Sequence, residues 1–269
     1  MNLLDLNEQK TASTLEKFVI EKLDNSGLSG YVIGLSGGID SALSASIAVS
    51  ALGADKVMGV LMPYSSSSSN STKDASELAE NLGIKTRTVE ISPMIDAYYN
   101  NIKPIDPVRF GNKMARERMS ILFDIAFDMN RLVLGTSNRT EICLGYGTWY
   151  GDAACSVNPI GTLYKTQVRQ LAAYYKVPDS ILKKTPSADL WPGQTDEDEL
   201  GLEYASVDRL LFMILEQGIT DRKSLNKAGF ENEFIDLAVG KMNRFYFKRH
   251  LPEIADLGLK PIPDKLTIS

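Results

Sequence analysis

The run Gly34-Leu35-Ser36-Gly37-Gly38-Ile39-Asp40-Ser41 places three glycines, two hydroxyls and one carboxylate within eight residues. Glycines there allow a tight turn and close approach of backbone N–H groups to an anion. Ser36 and Ser41 can donate hydroxyl hydrogen bonds to phosphate oxygens, and Asp40 can hold the Mg²⁺ that accompanies a nucleoside triphosphate. The run falls where the apolar segment Tyr31 to Leu35 meets Ile39 to Leu52, which is rich in Ala and Ser. That is a strand end feeding a helix start, and the helix dipole adds a favourable field for an anion. The spacing is neither GxxxxGK[ST] nor GxGxxG. In a plain Gly-rich turn Asp40 would be an ordinary first-turn acid. Two hydroxyls and a carboxylate at such a junction favour a phosphate site with its own cation.

Other chemistries are narrowed by what the chain contains. His250 is its single histidine, beside Lys248 and Arg249, so a histidine metal cluster is impossible and a solvated side chain is expected. Cys143 and Cys155 have no CxxC spacing, which points to free thiols. With 29 Lys and Arg against 34 Asp and Glu, and no basic run, the net charge of −5 argues against nucleic acid. Met1 to Lys10 is polar and no stretch is apolar enough to span a membrane, so a cytoplasmic protein is expected. The acidic run Asp196 to Glu199 reads as a helix start behind Thr195 rather than as a metal site.

The elements that must position these groups alternate. Glu8 to Asn25 carries Leu15, Phe18, Val19 and Leu23 at helical spacing. After the first strand and helix come a strand at Val57 to Met62, a helix at Thr72 to Leu82 closed by Gly83, and a strand at Ile84 to Ile91. A helix over Asn112 to Met129 follows, apolar nearly all round from Ile121 to Phe127 and so expected to be buried on two sides. A strand at Arg131 to Gly135 leads to a short helix at Asn138 to Leu144. A loop rich in Gly and aromatics then precedes a helix at Lys165 to Lys176. Pro186 to Thr195 is a loop, and helices are expected at Leu202 to Leu215, Lys223 to Ala228 and Glu231 to Phe247. The Ser65 to Ser69 tract is expected to be a mobile loop. Alternation of this kind predicts an α/β fold with a parallel sheet.

The glycine loop resembles the SGGxDS signature of the PP-loop ATP pyrophosphatases, which cleave ATP between its α and β phosphates. Further pieces follow in the order found in the NAD synthetase family: Gly111-Asn112, Ala115-Arg116-Glu117-Arg118-Met119, Gly135-Thr136-Ser137-Asn138 with Glu141, Tyr150-Gly151-Asp152, Asn158-Pro159, Leu163-Tyr164-Lys165-Thr166 and Pro186-Ser187-Ala188-Asp189-Leu190. The likeness spans about Tyr31 to Asp208 and then Lys248. It implies ATP-dependent amidation of deamido-NAD by ammonia through an acyl adenylate, and a homodimer. It implies one domain over residues 1–269: an N-terminal helix to about residue 30, a core at 31–176, and a lid loop with helical C-terminal part at 177–269. It further implies a doubly wound, five-stranded sheet of order 3-2-1-4-5.

By the same resemblance Asp40 and Glu141 ligate Mg²⁺, and Gly34 to Ser41, Thr136, Lys165 and Ser187 contact ATP, with Asp40, Lys165 and Ser187 catalytic. Arg116, Trp149, Ser156, Phe247 and Lys248 fall at positions tied to deamido-NAD. Many family members have Lys, Asp and His where this chain has Trp149, Ser156 and Phe247. Two residues carry independent physical readings. Lys165 is a cation at a helix start, where the dipole disfavours it, so an anionic partner is expected. Glu141 can share a cation with Asp40 only if the strands preceding them are neighbours. A glutaminase would add a Cys-based domain for which this length leaves no room. The rival readings are another PP-loop adenylating enzyme, tRNA-modifying or similar to GMP synthetase, and a non-catalytic nucleotide-sensing module.

Overall fold

A computed structural model describes residues 3–102, 106–187, 195–255 and 257–258. Helix α1 (Glu8–Ser26) starts where the Asn7 side chain accepts a hydrogen bond from Lys10 N and stops at Gly27, in the left-handed region. Its buried stripe is Ala12, Leu15, Val19 and Leu23. Strand β1 (Tyr31–Gly34) is covered on both faces and leads into α2 (Ile39–Leu52). Small Ala and Ser side chains let α2 sit close to its neighbours, and nearly every residue from Ile39 to Ala48 is buried. Next come β2 (Val57–Leu61), α3 (Ser69–Leu82), β3 (Lys85–Thr88) and α4 (Ser92–Tyr99). Helix α4 is opened by Pro93 in its first turn and was not expected from the sequence.

Helix α5 (Pro107–Asp128) begins earlier than its apolar part suggests, because Asp106 caps Arg109 N and Pro107 follows the cap. Strand β4 (Leu132–Val133) and α6 (Arg139–Leu144) come next. Helices α7 (Lys165–Tyr174), α8 (Asp179–Leu182), α9 (Asp196–Leu200), α10 (Tyr204–Leu215), α11 (Arg222–Lys227) and α12 (Asn232–Arg244) follow.

The sheet is parallel with order β3-β2-β1-β4. The fifth strand is therefore a correction: beside β4 the chain makes one isolated parallel bridge, Leu134 to Val157. Gly135 N reaches Val157 O at 2.7 Å, but Pro159 has no N–H with which to extend a ladder. Helices α1, α2, α3 and α7 share one core with the sheet, α4 and α5 pack on its other face, and α10 to α12 build a separate apolar cluster. Burial of α5 on two sides is not met within this chain: one stripe is buried, while Phe123 is 43 % and Phe127 90 % exposed. Because β1 is followed by β2 on one side and paired with β4 on the other, a crevice opens at the carboxyl ends of β1 and β4.

Candidate active site

At the end of β1 the chain turns through Gly37, whose φ of +73° is left-handed. Ser36 Oγ and Ser41 Oγ lie 3.1 Å apart, Ser41 Oγ donates to Gly38 O at 3.0 Å, and Gly38 N donates to Ser36 Oγ at 3.2 Å. Gly38 is the N-cap of α2 and offers no side-chain cap, which leaves the first-turn N–H groups to an outside acceptor. Asp40 stands in that first turn.

The end of β4 brings Glu141 opposite. Asn138, fully buried, caps α6 in a reciprocal pair: its Oδ1 accepts from Glu141 N, and Glu141 Oε2 accepts from Asn138 N. The Asn138 amide also donates to Asp40 Oδ1 at 2.9 Å. Lys165, only 2 % exposed, sends its ammonium between the two acids, 2.6 Å from Asp40 Oδ2 and 3.2 Å from Glu141 Oε1. Both expectations are met: the strands are neighbours, and the cation at a helix start has anionic partners. The start of α7 is held from outside, with Lys165 N donating to Thr140 Oγ1 at 3.0 Å and Thr166 N to buried Asp208 Oδ2 at 2.7 Å. Thr140 Oγ1 in turn donates to Asp208.

Asp40, Glu141 and Lys165 line a cavity of about 1010 Å³, together with Gly34, Leu35, Ser36, Gly38, Ile39, Ser41, Thr136, Ser187 and Lys248. The serine tract is a hydrogen-bonded turn on its wall, with Ser65 N donating to Ser92 Oγ and Tyr64 N to Ser67 Oγ. Most of the expected Pro186 to Thr195 loop lies outside the described residues. Lys248 donates to Gly145 O and Gly147 O at 2.8 and 2.7 Å. Arg116 is exposed and donates to Trp149 O at 3.3 Å. Trp149 packs against Tyr150 and Phe247, with ring centres 4.5 and 5.3 Å away, and with Phe247 it lines a separate 270 Å³ cavity. Ser156 is taken up by strand pairing, its Oγ accepting from Val133 N and its N–H donating to Val133 O.

Residues 11–252 match the family described as NAD synthase. The chain belongs to the NAD synthase family. It is 49 % identical to the NH(3)-dependent NAD(+) synthetase of Fusobacterium nucleatum, over 96 % of this chain and 99 % of that one. Among solved structures it resembles the NH3-dependent NAD synthetase from Campylobacter jejuni in complex with the nitrate ion, at a TM-score of 0.80 and 36 % identity over 93 % of this chain and all of that one. It also resembles the NMN synthetase from Francisella tularensis, at a TM-score of 0.84 and 35 % identity over 94 % of this chain and all of that one.

In this NAD synthase chain the acids outnumber the cation at the crevice. Burial pushes the Glu141 carboxyl above the usual carboxylate range, against the pull of Lys165 and with the help of Asp40 and Asp196. Burial works against the Lys165 ammonium, yet Asp40 and Glu141 outweigh it and hold its pKa above the usual value. Asp196, 4 % exposed, is raised by burial and accepts from Tyr146 Oη and Tyr204 Oη at 3.0 and 3.3 Å. Sequence reasoning gave Asp196 only a helix-start role, which it also has behind Thr195. Asn138, Thr140 and Asp208 were not singled out as site residues. A small polar side chain signals nothing until its distant partner is known. Among the described residues no three acids, histidines or cysteines are grouped to hold a metal. Two convergent carboxylates with excess negative charge do suit Mg²⁺, which commonly takes one or two carboxylates and completes its shell with phosphates and water.

Proposed function

We infer that the chain joins ammonia to deamido-NAD, consuming ATP and releasing AMP and pyrophosphate, as a ligase forming a C–N bond. The observation that carries the reading is the convergence of Asp40, Glu141 and Lys165 beside the Ser36 to Ser41 loop in one large cavity. The relatives named as ammonia-dependent synthetases support it over nearly their whole length. A nucleotide-sensing module has no use for a buried Lys165 held between two acids. An acidic chain with no basic run suits a small-molecule substrate better than tRNA.

The nicotinate carboxylate of deamido-NAD attacks the α-phosphorus of ATP, and the bond to the β-phosphate oxygen breaks. Pyrophosphate leaves toward the N–H groups of α2 and the Ser36 and Ser41 hydroxyls. Ammonia then adds to the acyl carbon, AMP leaves, and the nitrogen gives up its surplus proton. Asp40 and Glu141 would hold Mg²⁺, which when bound supplies charge neutralisation on the phosphates. Lys165 keeps its proton and faces the developing negative charge, while Thr136 and Ser187 bind ATP. Lys248 at the cavity wall, with Arg116, Trp149, Ser156 and Phe247, forms the side toward deamido-NAD. The protein works as a homodimer in the cytoplasm. No helix among the described residues is long and apolar enough to cross a membrane, which suits that place.

The test is release of AMP and pyrophosphate that requires both ammonia and deamido-NAD. A parallel reaction offers nicotinate mononucleotide, because one structural neighbour is an NMN synthetase. Turnover that ignores both acceptors would overturn the reading. Preference for the mononucleotide would move the substrate and keep the chemistry.

A further inference from the structure

Lys184 lies on the cavity wall, two residues beyond α8 and three before Ser187. The segment leading to it is anchored, since Ile181 is buried in the main core and Leu182 O accepts from Arg169 Nη1 at 3.2 Å. The ammonium donates to three groups: Ser71 Oγ at 2.9 Å, Asp74 Oδ2 at 3.0 Å and the backbone carbonyl of Gly37 at 3.3 Å. The third contact matters most. The carbonyl belongs to the peptide linking Gly37 to Gly38, inside the loop read above as the pyrophosphate site.

In a trans peptide the C=O and N–H point in opposite directions. A carbonyl turned toward Lys184 and α3 therefore aims the Gly38 N–H the other way, to the Ser36 hydroxyl that lines the cavity. Both residues are glycines, so no Cβ resists rotation of this peptide. The reverse orientation would present a carbonyl oxygen to an anion and withdraw a donor. Packing reinforces the observed one: a Cβ on Gly37 would lie 2.2 Å from Ser71 O, so the loop and the start of α3 touch backbone to backbone. We propose that Lys184 is a positioning residue that locks the Gly37–Gly38 peptide with its N–H on the cavity side, where it holds the Ser36 hydroxyl that faces the leaving pyrophosphate. One ammonium thereby ties together the phosphate loop, α3 and the segment carrying Ser187.

The inference rests on the pyrophosphate reading of the loop, and the experiment separates the two. Calorimetric titration of inorganic pyrophosphate with Mg²⁺ into the full chain is compared for wild type, Lys184→Met, Lys184→Arg and Asp74→Asn. Lys184→Met is expected to bind pyrophosphate about 10-fold more weakly or worse, less than the roughly 10²-fold cost of removing a preorganised donor outright, because the loop keeps its donors and loses only their orientation. Its kcat/KM for ATP should fall alongside, with the KM for deamido-NAD unchanged, and Lys184→Arg should recover part of the loss. Asp74→Asn should keep wild-type pyrophosphate affinity, because the lysine still reaches the Gly37 carbonyl. Should Lys184→Met not fold, Lys184→Gln is read by the same criteria. Wild-type affinity in the Lys184 variants, or equal weakening by Asp74→Asn, would overturn the lock in favour of a plain ion pair. A wild type that takes up no pyrophosphate would overturn the loop reading and the lock with it.

Discussion

Asp40 and Lys165 sit 2.6 Å apart, yet their removal should fail in different ways. Asp40→Asn keeps the size and the Asn138 contact but removes charge from a half-open position, with its side chain 18 % exposed. We expect turnover to fall on the order of 10²-fold or more at modest cost in stability, comparable to losing a preorganised electrostatic group. Near-normal AMP release at saturating Mg²⁺ would exclude Asp40 as a ligand. Lys165→Met strands two carboxylates around a site that was 2 % exposed. Breaking such a pair from one side should cost about 3 kcal/mol or more in urea unfolding, in addition to activity. A variant as stable as wild type would mean that the acids find another partner.

At the scale of elements, α5 has more apolar surface than the chain can cover. Met114, Met119, Leu122 and Ile125 face the sheet, whereas Phe123 and Phe127 stand one turn apart on the outer side. Arg116 is exposed on the same helix and touches the Trp149 carbonyl, so a partner seated on this face would lie close to the deamido-NAD side. A symmetric dimer through α5 is the expected assembly. Phe123→Asp and Phe127→Asp, made separately, should each lower the mass seen by light scattering at low micromolar concentration and weaken deamido-NAD binding. A wild type that runs as a fully active monomer would refute the coupling.

Over the whole molecule, the aromatic hydroxyls set an alkaline limit. Tyr31 donates to Val19 O at 2.8 Å across α1 and β1, and burial raises its pKa from 10.0 to about 12. Tyr164, also raised to about 12 by burial, ties α7 to Glu216 just after α10. A folded-state value above the unfolded one means that the stability contribution is complete below pH 10 and is lost as pH rises through about 12. The urea midpoint should therefore drop across that window, and Tyr31→Phe should make the drop shallower. A midpoint that does not change from pH 9 to 12 would contradict the assignment.

Local chemistry was legible in the residues themselves. The glycines, two hydroxyls and an acid do stand between a strand and a helix, and Ile39–Leu52 is helical where the pattern says so. Family motifs named Glu141, Lys165 and Ser187 because those side chains fall within short, recognisable strings. Tertiary structure alone decided what these groups meet. Lys165 and Asp40 are 125 positions apart, and they become neighbours only because β4 crosses over to lie beside β1 and α7 packs back against α2. The same holds for Asp208 at the start of α7, for Asp196 under two tyrosines, and for Lys184 on the Gly37 carbonyl. Ser156, read as a position tied to deamido-NAD, also hydrogen-bonds β4 through its Oγ and N–H, which the sequence did not signal. The fifth strand shrank to one bridge, and half of the apolar α5 was left uncovered. Periodicity and turn chemistry act over a few residues and so can be read in order along the chain. Pairing across the sheet depends on which segments the topology brings together, and no short stretch of sequence contains that information.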